Sequence, residues 1–531
     1  MNYPWTEATA AAIGADWLLD AIAPSGAFGR RARALERSFR TGDESAARTA
    51  CERAHRIAGA VAAGELASLR ATIGGAPDPG PALALARAGG VLGDVDFFEL
   101  SRFLDAVAGV AEYAAGPAFA AVDVPQGDPA LRALLAPGRT AERTFYLDDA
   151  FDPSLARARG ESAGCQARYD AARSRLATRV AQYAGIERVR DGEFVLMRDR
   201  TSGPFPPEIR VVREAPTYVL CEIALDATAL EALAARDEAV ARVASAEEDV
   251  RARLSRSIAQ AAPALERGCD ALGRLDLTVA RAEFAQRYAC TIPEITDVPA
   301  IVLEDARYLP LASALERHHR GYAPISIALE GMGVVTGPNM GGKTAALRTL
   351  GFVAACVALG VPVPAASARV SLVDEIAWLG IGVVPEDDGL LSAFGSEVVE
   401  LRAFLERAPR SSLVLVDEFA RTTSPREGRA LLIALLETLQ SRGALGLAAT
   451  HLSGVAAGAR VAHFASGGFL QVPAGSGESL TLEAALLRIA AAMDYRLIRV
   501  DESAVPAADA IALAAALGLD AALIARAQEA L

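Results

Sequence analysis

Val334-Val335-Thr336-Gly337-Pro338-Asn339-Met340-Gly341-Gly342-Lys343-Thr344 decides the reading of this chain. An apolar, strand-like run leads into a full GxxxxGK[ST] pattern, and Ala345 to Leu359 behind it is helix-forming. Glycines let the backbone curl so that successive N–H groups face a phosphate, and the helix that follows adds the positive end of its dipole. In a loop of this kind the lysine reaches the β- and γ-phosphates of a nucleotide and the hydroxyl residue ligates Mg2+. The stretch therefore predicts an ATP site built on Gly337, Pro338, Asn339, Met340, Gly341, Gly342, Lys343 and Thr344. Composition sharpens this: Lys343 is the single lysine among 53 basic residues. Wherever a generic cation serves, the sequence uses Arg, so Lys343 marks a place that needs a compact, flexible ammonium.

Outward from the loop, the helix is expected to stop at Gly360, with Pro362 as a breaker. Ser412-Leu413-Val414-Leu415-Val416-Asp417-Glu418 is a continuous apolar run of the kind that a parallel strand buried on both faces requires, and it ends in two acids. Asp417 is placed to hold the Mg2+ shell and Glu418 to orient or deprotonate an attacking water, the alternative being acids that merely close a strand in a solvated turn. Leu445-Gly446-Leu447-Ala448-Ala449-Thr450-His451 again puts polar groups at the C-terminal end of a strand, where open α/β sheets bind ligands. His451 is a candidate γ-phosphate sensor beside a plain structural role. The fold class expected from residue 291 to 531 is an α/β phosphate-loop NTPase domain with a mostly parallel sheet.

These motifs resemble the MutS-type ATPases. The Pro-Asn-Met insert of Gly337 to Thr344 is close to that family's nucleotide loop. Asp417-Glu418, then Arg421-Thr422-Thr423-Ser424, and Thr450-His451 look like its later motifs in the right order. Ser392-Ala393-Phe394-Gly395-Ser396-Glu397 is similar to its S-x-F-x-x-E segment, which in relatives completes the neighbouring subunit's ATP site; Ser392 could equally cap a helix. The resemblance implies ATP and Mg2+ as cofactors, a homodimer with composite sites, and a helical dimerisation tail over Asp501 to Leu531. It also implies an aromatic that stacks on adenine near Tyr322, which precedes the strand leading into the loop.

The front half is helical. Residues 1–125 are expected as a helical, core-like domain, 126–152 as a linker, and 153–290 as a helical lever with a small β tip near 187–226. Asp152-Pro153 supplies a helix cap with proline in the first turn, opening a helix to about Tyr183. Leu230, Leu233, Val240, Val243, Val250, Leu254 and Ile258 mark a second helix at near-heptad spacing; roughly 30 residues give about 45 Å of reach. Such helices look like the lever and clamp of MutS relatives. Between Glu187 and Glu222 six arginines face seven acids, a poor electrostatic clamp for nucleic acid. Asp96-Phe97-Phe98-Glu99 resembles the aromatic wedge of mismatch-reading members but continues into Leu100-Ser101-Arg102-Phe103-Leu104, which reads as a core stripe. On this reading the chain is expected to lack the front mismatch-reading and connector domains.

Composition bounds the rest. The 531 residues are 52% hydrophobic and 22% charged, with a formal charge of −13, unfavourable for broad attraction to nucleic acid. The longest apolar stretch, Leu350 to Ala366, is broken by Gly360, Pro362 and Pro364, which argues against a membrane span. The first residues lack a basic segment followed by an apolar one, so a cytoplasmic setting is expected. Six dispersed cysteines without a CxxC pair indicate neither a zinc cluster nor a disulfide framework. Two clients stand open: mismatched or branched duplex DNA, gripped by levers that ATP opens and closes, or a protein. For the second, the Arg421-Thr422-Thr423-Ser424-Pro425 turn and the short front resemble MutS-like proteins associated with reactivating cobalamin-dependent lysine or ornithine aminomutases.

Overall fold

The computed structural model describes residues 3–140, 144–187, 189, 193–199, 204–338, 341–380, 393–407, 411–469, 493–504 and 510–530. The chain forms two compact units, each assembled from separate stretches.

One unit comprises residues 76–109 and 126–268. Within it the helix Asp94–Tyr113 turns Phe97, Leu100, Phe103, Leu104 and Val107 inward, all nearly inaccessible, and Phe97 packs at a tilt against Phe145 with ring centroids 5.1 Å apart. The Asp96-Phe97-Phe98-Glu99 motif is thus a core stripe. The stretch 126–152 carries the short helix Pro129–Leu135 and buries Leu131, Leu135, Phe145 and Leu147. The helix Pro153–Ala184 starts as its sequence indicates: the Asp152 carboxylate accepts from the Ser154 N–H, Pro153 fills the first turn, and Gly185 at φ 64° ends it.

Three antiparallel strands follow, β1 (Glu193–Met197), β2 (Ile209–Glu214) and β3 (Tyr218–Ile223), in the order β1-β3-β2. Phe194, Leu196, Ile209, Val219 and Cys221 close over Val180 of the preceding helix. In this small sheet Arg198 pairs with Glu214 and Arg210 with Glu222, while Arg188, Arg190 and Arg200 lie outside the described residues. The next helix, Ala227–Arg287, has 61 residues, roughly 90 Å at 1.5 Å per residue, about twice the sequence expectation. The apolar stripe does not stop at Ile258: within this unit Ala262 and Leu265 carry it past Pro263, and residues 269–287 of the helix belong to the other unit. Its beginning is rotated from the heptad reading, with Ala229 and Ala239 fully buried while Leu230 and Val240 are each 52% exposed. Ala229 is the small residue that packs on Ala172 and Leu176 of the helix Pro153–Ala184.

The other unit comprises residues 1–75, 110–125 and 269–531. Its described residues form two sheets. β4 (Glu294–Thr296), β5 (Ile301–Ala306), β6 (Ile325–Leu329) and β8 (Ser367–Ser371) form one, in the order β4-β8-β5-β6. The other contains β7 (Met332–Thr336), β9 (Glu375–Gly380), β10 (Ser412–Asp417), β11 (Leu445–Ala449), β12 (Ala462–Phe469) and β13 (Met493–Val500), in the order β13-β12-β7-β11-β10-β9. β12, β7, β11, β10 and β9 run parallel and β13 returns antiparallel at the edge. β7, β10 and β11 are buried along their whole length, as strands covered on both faces must be.

The helix Lys343–Ala358 lies against this sheet, with Leu347, Leu350, Phe352 and Val353 fully buried. Its outer side is covered by Ile13, Leu18 and Ile22 from the first helices of the chain. The fit is close: a Cβ on Gly351 would stand 2.5 Å from an Ile13 methyl. Residues near the N-terminus therefore complete the core of the same unit that holds the glycine-rich loop. Among the described residues no helix is long and apolar enough to cross a membrane.

Candidate functional site

The C-terminal ends of β7, β10 and β11 converge, the position at which parallel α/β sheets present their ligand groups. β7 delivers Thr336 and then Gly337 at φ 144°, a backbone state closed to side chains. Gly342, at φ 88°, is the residue before the helix that begins at Lys343. Asn339 and Met340 lie outside the described residues.

Lys343 is 6% exposed, and its Nζ donates to the carbonyls of Gly337 and Pro338, each at 2.9 Å. The lysine thereby staples the loop to the start of its own helix. Burial pushes the ammonium below its ordinary pKa, opposed by the nearby Glu418 and Asp417. Thr344 Oγ1 donates to both carboxylate oxygens of Asp417, at 3.1 and 3.2 Å. Asp417 ends β10 and is 7% exposed; burial raises its carboxyl above the usual range while the Thr344 hydrogen bond lowers it. A hydroxyl and a carboxylate meeting at a helix start form a hard oxygen donor set. It suits a cation such as Mg2+, which keeps water and phosphate oxygens in its other positions.

Past Asp417 the backbone is strained. Glu418 and Ala420 both adopt left-handed conformations, at φ 51° and 60°. Glu418 N donates to Ala449 O at the end of β11, and its carboxylate pairs with Arg421 at 3.4 Å. Ala420 N donates to Glu397 Oε2 at 2.9 Å, so the helix Ala393–Arg407 supports this turn. Thr450 N donates to Val335 O, tying the end of β11 to β7, and His451 follows as an exposed residue at the same sheet edge. Ser392 lies outside the described residues. Tyr322 stands elsewhere: its hydroxyl accepts from Tyr308 N at 2.9 Å, and it packs half-buried against the core beneath the helix Lys343–Ala358.

Three residues that residue-type reasoning passed over border the loop. Tyr495 of β13 lies beside Gly342, its ring carbon 3.3 Å from where a Cβ would stand. Ser466 of β12 occupies the space that a Cβ on Gly337 or Gly341 would need, 2.0 and 2.6 Å away. His463 of β12 bonds Thr336. Nothing in their immediate sequence marks them, because pairing of β12 with β7 and β13 brings them to the loop.

Residues 333–527 match the family model for MutS domain V. The chain is 36% identical over 182 residues to a protein named Endonuclease MutS2 from Clostridium botulinum (strain Loch Maree / Type A3), covering 34% of this chain and 22% of that protein. It is 37% identical over 206 residues to the Endonuclease MutS2 of Thermomicrobium roseum, with 37% and 26% covered. Against the protein of the same name from Agathobacter rectalis it is 34% identical over 209 residues, with 39% and 26% covered. The matched stretch spans about a quarter of the length of these relatives.

Proposed function

The chain belongs to the MutS-type ATPase family, and from that premise we propose that it binds and hydrolyses ATP with Mg2+ at the glycine-rich loop and uses the cycle to act on DNA as a homodimer. The observation that carries the reading is the convergence of Lys343, Thr344 and Asp417 at the ends of β7 and β10. Gly337 to Thr344 hold the phosphates through backbone N–H groups and the Lys343 ammonium, which exchanges its two loop carbonyls for phosphate oxygens. Thr344 and Asp417 hold the metal, which when bound neutralises charge on the β- and γ-phosphates. Glu418 orients or deprotonates the attacking water, and His451 reads the γ-phosphate from the neighbouring strand end. Tyr495 is the aromatic beside the loop and takes the base, with Tyr322 as the sequence-based alternative. Ser392 completes the site of the second subunit. ATP favours one arrangement of the dimer over the other, and hydrolysis removes the preference.

DNA as client rests on the family and on the relatives named MutS2. A protein client, such as a cobalamin-dependent aminomutase, is the second reading, favoured by the internal pairing of Arg198 and Arg210 in the small sheet. The test combines ATP turnover by wild type and Lys343→Ala with fluorescence anisotropy on homoduplex, mismatched and branched DNA, with and without ATP, across salt. Turnover lost in the variant and salt-dependent, ATP-responsive DNA binding are expected. Unchanged turnover in Lys343→Ala defeats the ATPase assignment. Turnover without DNA binding at low salt moves the client to protein.

A further inference from the structure

Strand β12 borders the glycine-rich loop, and its contacts are specific. His463 is 3% exposed and uses both ring nitrogens: Nε2 lies 2.8 Å from Thr336 Oγ1 and Nδ1 lies 2.9 Å from the backbone carbonyl of Asp501. A carbonyl oxygen has no proton to give, so Nδ1 carries the hydrogen; in the neutral ring Nε2 then accepts, and the Thr336 hydroxyl donates to it. Thr336 is the last residue of β7, and the next residue is Gly337, whose φ of 144° lies in the range open to glycine. The Gly337 carbonyl is one of the two that hold Lys343 Nζ.

The contacts run from the Asp501 carbonyl through the imidazole to the Thr336 hydroxyl; from there the backbone leads directly to Gly337, whose carbonyl accepts from the Lys343 ammonium. Three residues after His463, the Ser466 hydroxyl is buried without a hydrogen-bond partner among the described residues and stands where a Cβ on Gly337 or Gly341 would fall. β12 therefore limits the loop at two places, one through a hydrogen bond and one through exclusion. Asp501 directly follows β13, whose Tyr495 lies beside Gly342 at the other end of the loop.

We infer that His463 is a positioning residue of the nucleotide site, setting the orientation of Thr336 and of the Gly337 carbonyl, and so the resting place of Lys343, from a fixed point at the start of the C-terminal segment. The inference rests on the nucleotide reading above and adds to it a residue outside the loop, the paired acids and the sensor position. It makes the turn after β13 part of what determines nucleotide affinity.

The two bonds of the ring can be cut separately. His463→Asn keeps an amide N–H near the position of Nδ1 and loses the reach to Thr336. His463→Gln places its amide near Nε2 and keeps a partner for Thr336. Thr336→Val removes the same bond from the other side with little change of shape. The measurement is titration of a fluorescent ATP analogue with Mg2+, alongside KM and kcat for ATP and melting without nucleotide.

Affinity is expected to fall about tenfold in His463→Asn and in Thr336→Val, the loss appearing in KM more than in kcat, while each single variant also melts a few degrees lower because it leaves one buried partner unsatisfied. The double variant should be no weaker than either single one, because both remove one bond, and His463→Gln should recover most of the affinity. Affinities within twofold of wild type in His463→Asn and Thr336→Val overturn the inference, as does a double variant whose losses multiply. Should His463→Asn fail to fold, Thr336→Val decides alone. Wild-type protein that binds no nucleotide overturns the nucleotide reading itself, a result visible in the first titration before any variant is made.

Discussion

Replacing Asp417 by Asn separates what the site needs for folding from what it needs for nucleotide. Asp417 is 7% exposed and its carboxylate receives the Thr344 hydroxyl at 3.1 and 3.2 Å. Burial, the leading cause, raises its pKa above the ordinary carboxylate value, so the folded protein holds the proton more tightly than the unfolded chain. The sign follows: the ionised group costs stability above the folded pKa, and the cost disappears as pH falls below the unfolded value near 4. Asn keeps an acceptor for Thr344 in the same volume and carries no charge. Near neutral pH the nucleotide-free variant should be as stable as wild type, or more stable by up to about 1 kcal/mol, with the difference closing toward about pH 4.

Ligand reverses the order. Mg2+ and ATP at a hundred times their dissociation constant add about 2.7 kcal/mol to the wild type. For the unit that holds the site, residues 1–75, 110–125 and 269–531, this corresponds to roughly 4 °C in Tm at an unfolding entropy of about 2 cal/mol/K per residue. The variant lacks the carboxylate that holds the metal and should shift by little. Thermal melts of both proteins at two pH values, with Mg2+ and ATP or with ATP and chelator, provide the assay. A variant several kcal/mol less stable without nucleotide would refute the desolvation argument, and one that keeps the full Mg2+-dependent shift would refute the metal role.

Phe97→Ala should lower stability by about 3 to 5 kcal/mol in denaturant unfolding, since the ring is inaccessible and packed against Phe145; a wild-type midpoint would mean that the ring serves something other than the core. Tyr495→Ala should weaken binding of a fluorescent adenine nucleotide by about 1 to 3 kcal/mol and Tyr322→Ala by much less; the reverse ranking returns the base to Tyr322. Gly341→Ala introduces a Cβ 2.6 Å from Ser466 Oγ and 3.0 Å from Pro338 O, so nucleotide affinity should drop at least about tenfold, and unaltered affinity in a titration would show that the loop yields there.

The loop, the paired acids and the core stripe were legible because each depends on residue type at short spacing: a GK[ST] loop, an apolar run ending in Asp417-Glu418, and Phe97, Leu100 and Phe103 at helical intervals. β3 was less so, since Tyr218 to Ile223 mixes Glu222 and Cys221 into a strand whose identity comes from pairing with β1 and β2. The helix Ala227–Arg287 was read short because it runs on through Pro263, a residue that ordinarily ends or kinks a helix. His463, Ser466 and Tyr495 were silent for a related reason: an imidazole, a hydroxyl and a phenol gain meaning from the strands beside them. The first helices likewise give no local sign that Ile13 and Leu18 belong to the core under the helix Lys343–Ala358.

The solitary lysine has a practical side. With 52% of the chain hydrophobic and every other basic side chain an arginine or histidine, Lys343 is the protein's sole side-chain amine. Its Nζ is shielded by two loop carbonyls and bears a lowered pKa, so its reactivity depends on how the loop is set. An amine-directed label, counted against the terminal α-amine as internal standard, therefore reports on one loop in the unmutated protein. Nucleotide, DNA or a protein client added to that reaction would each register as protection or exposure at a single atom.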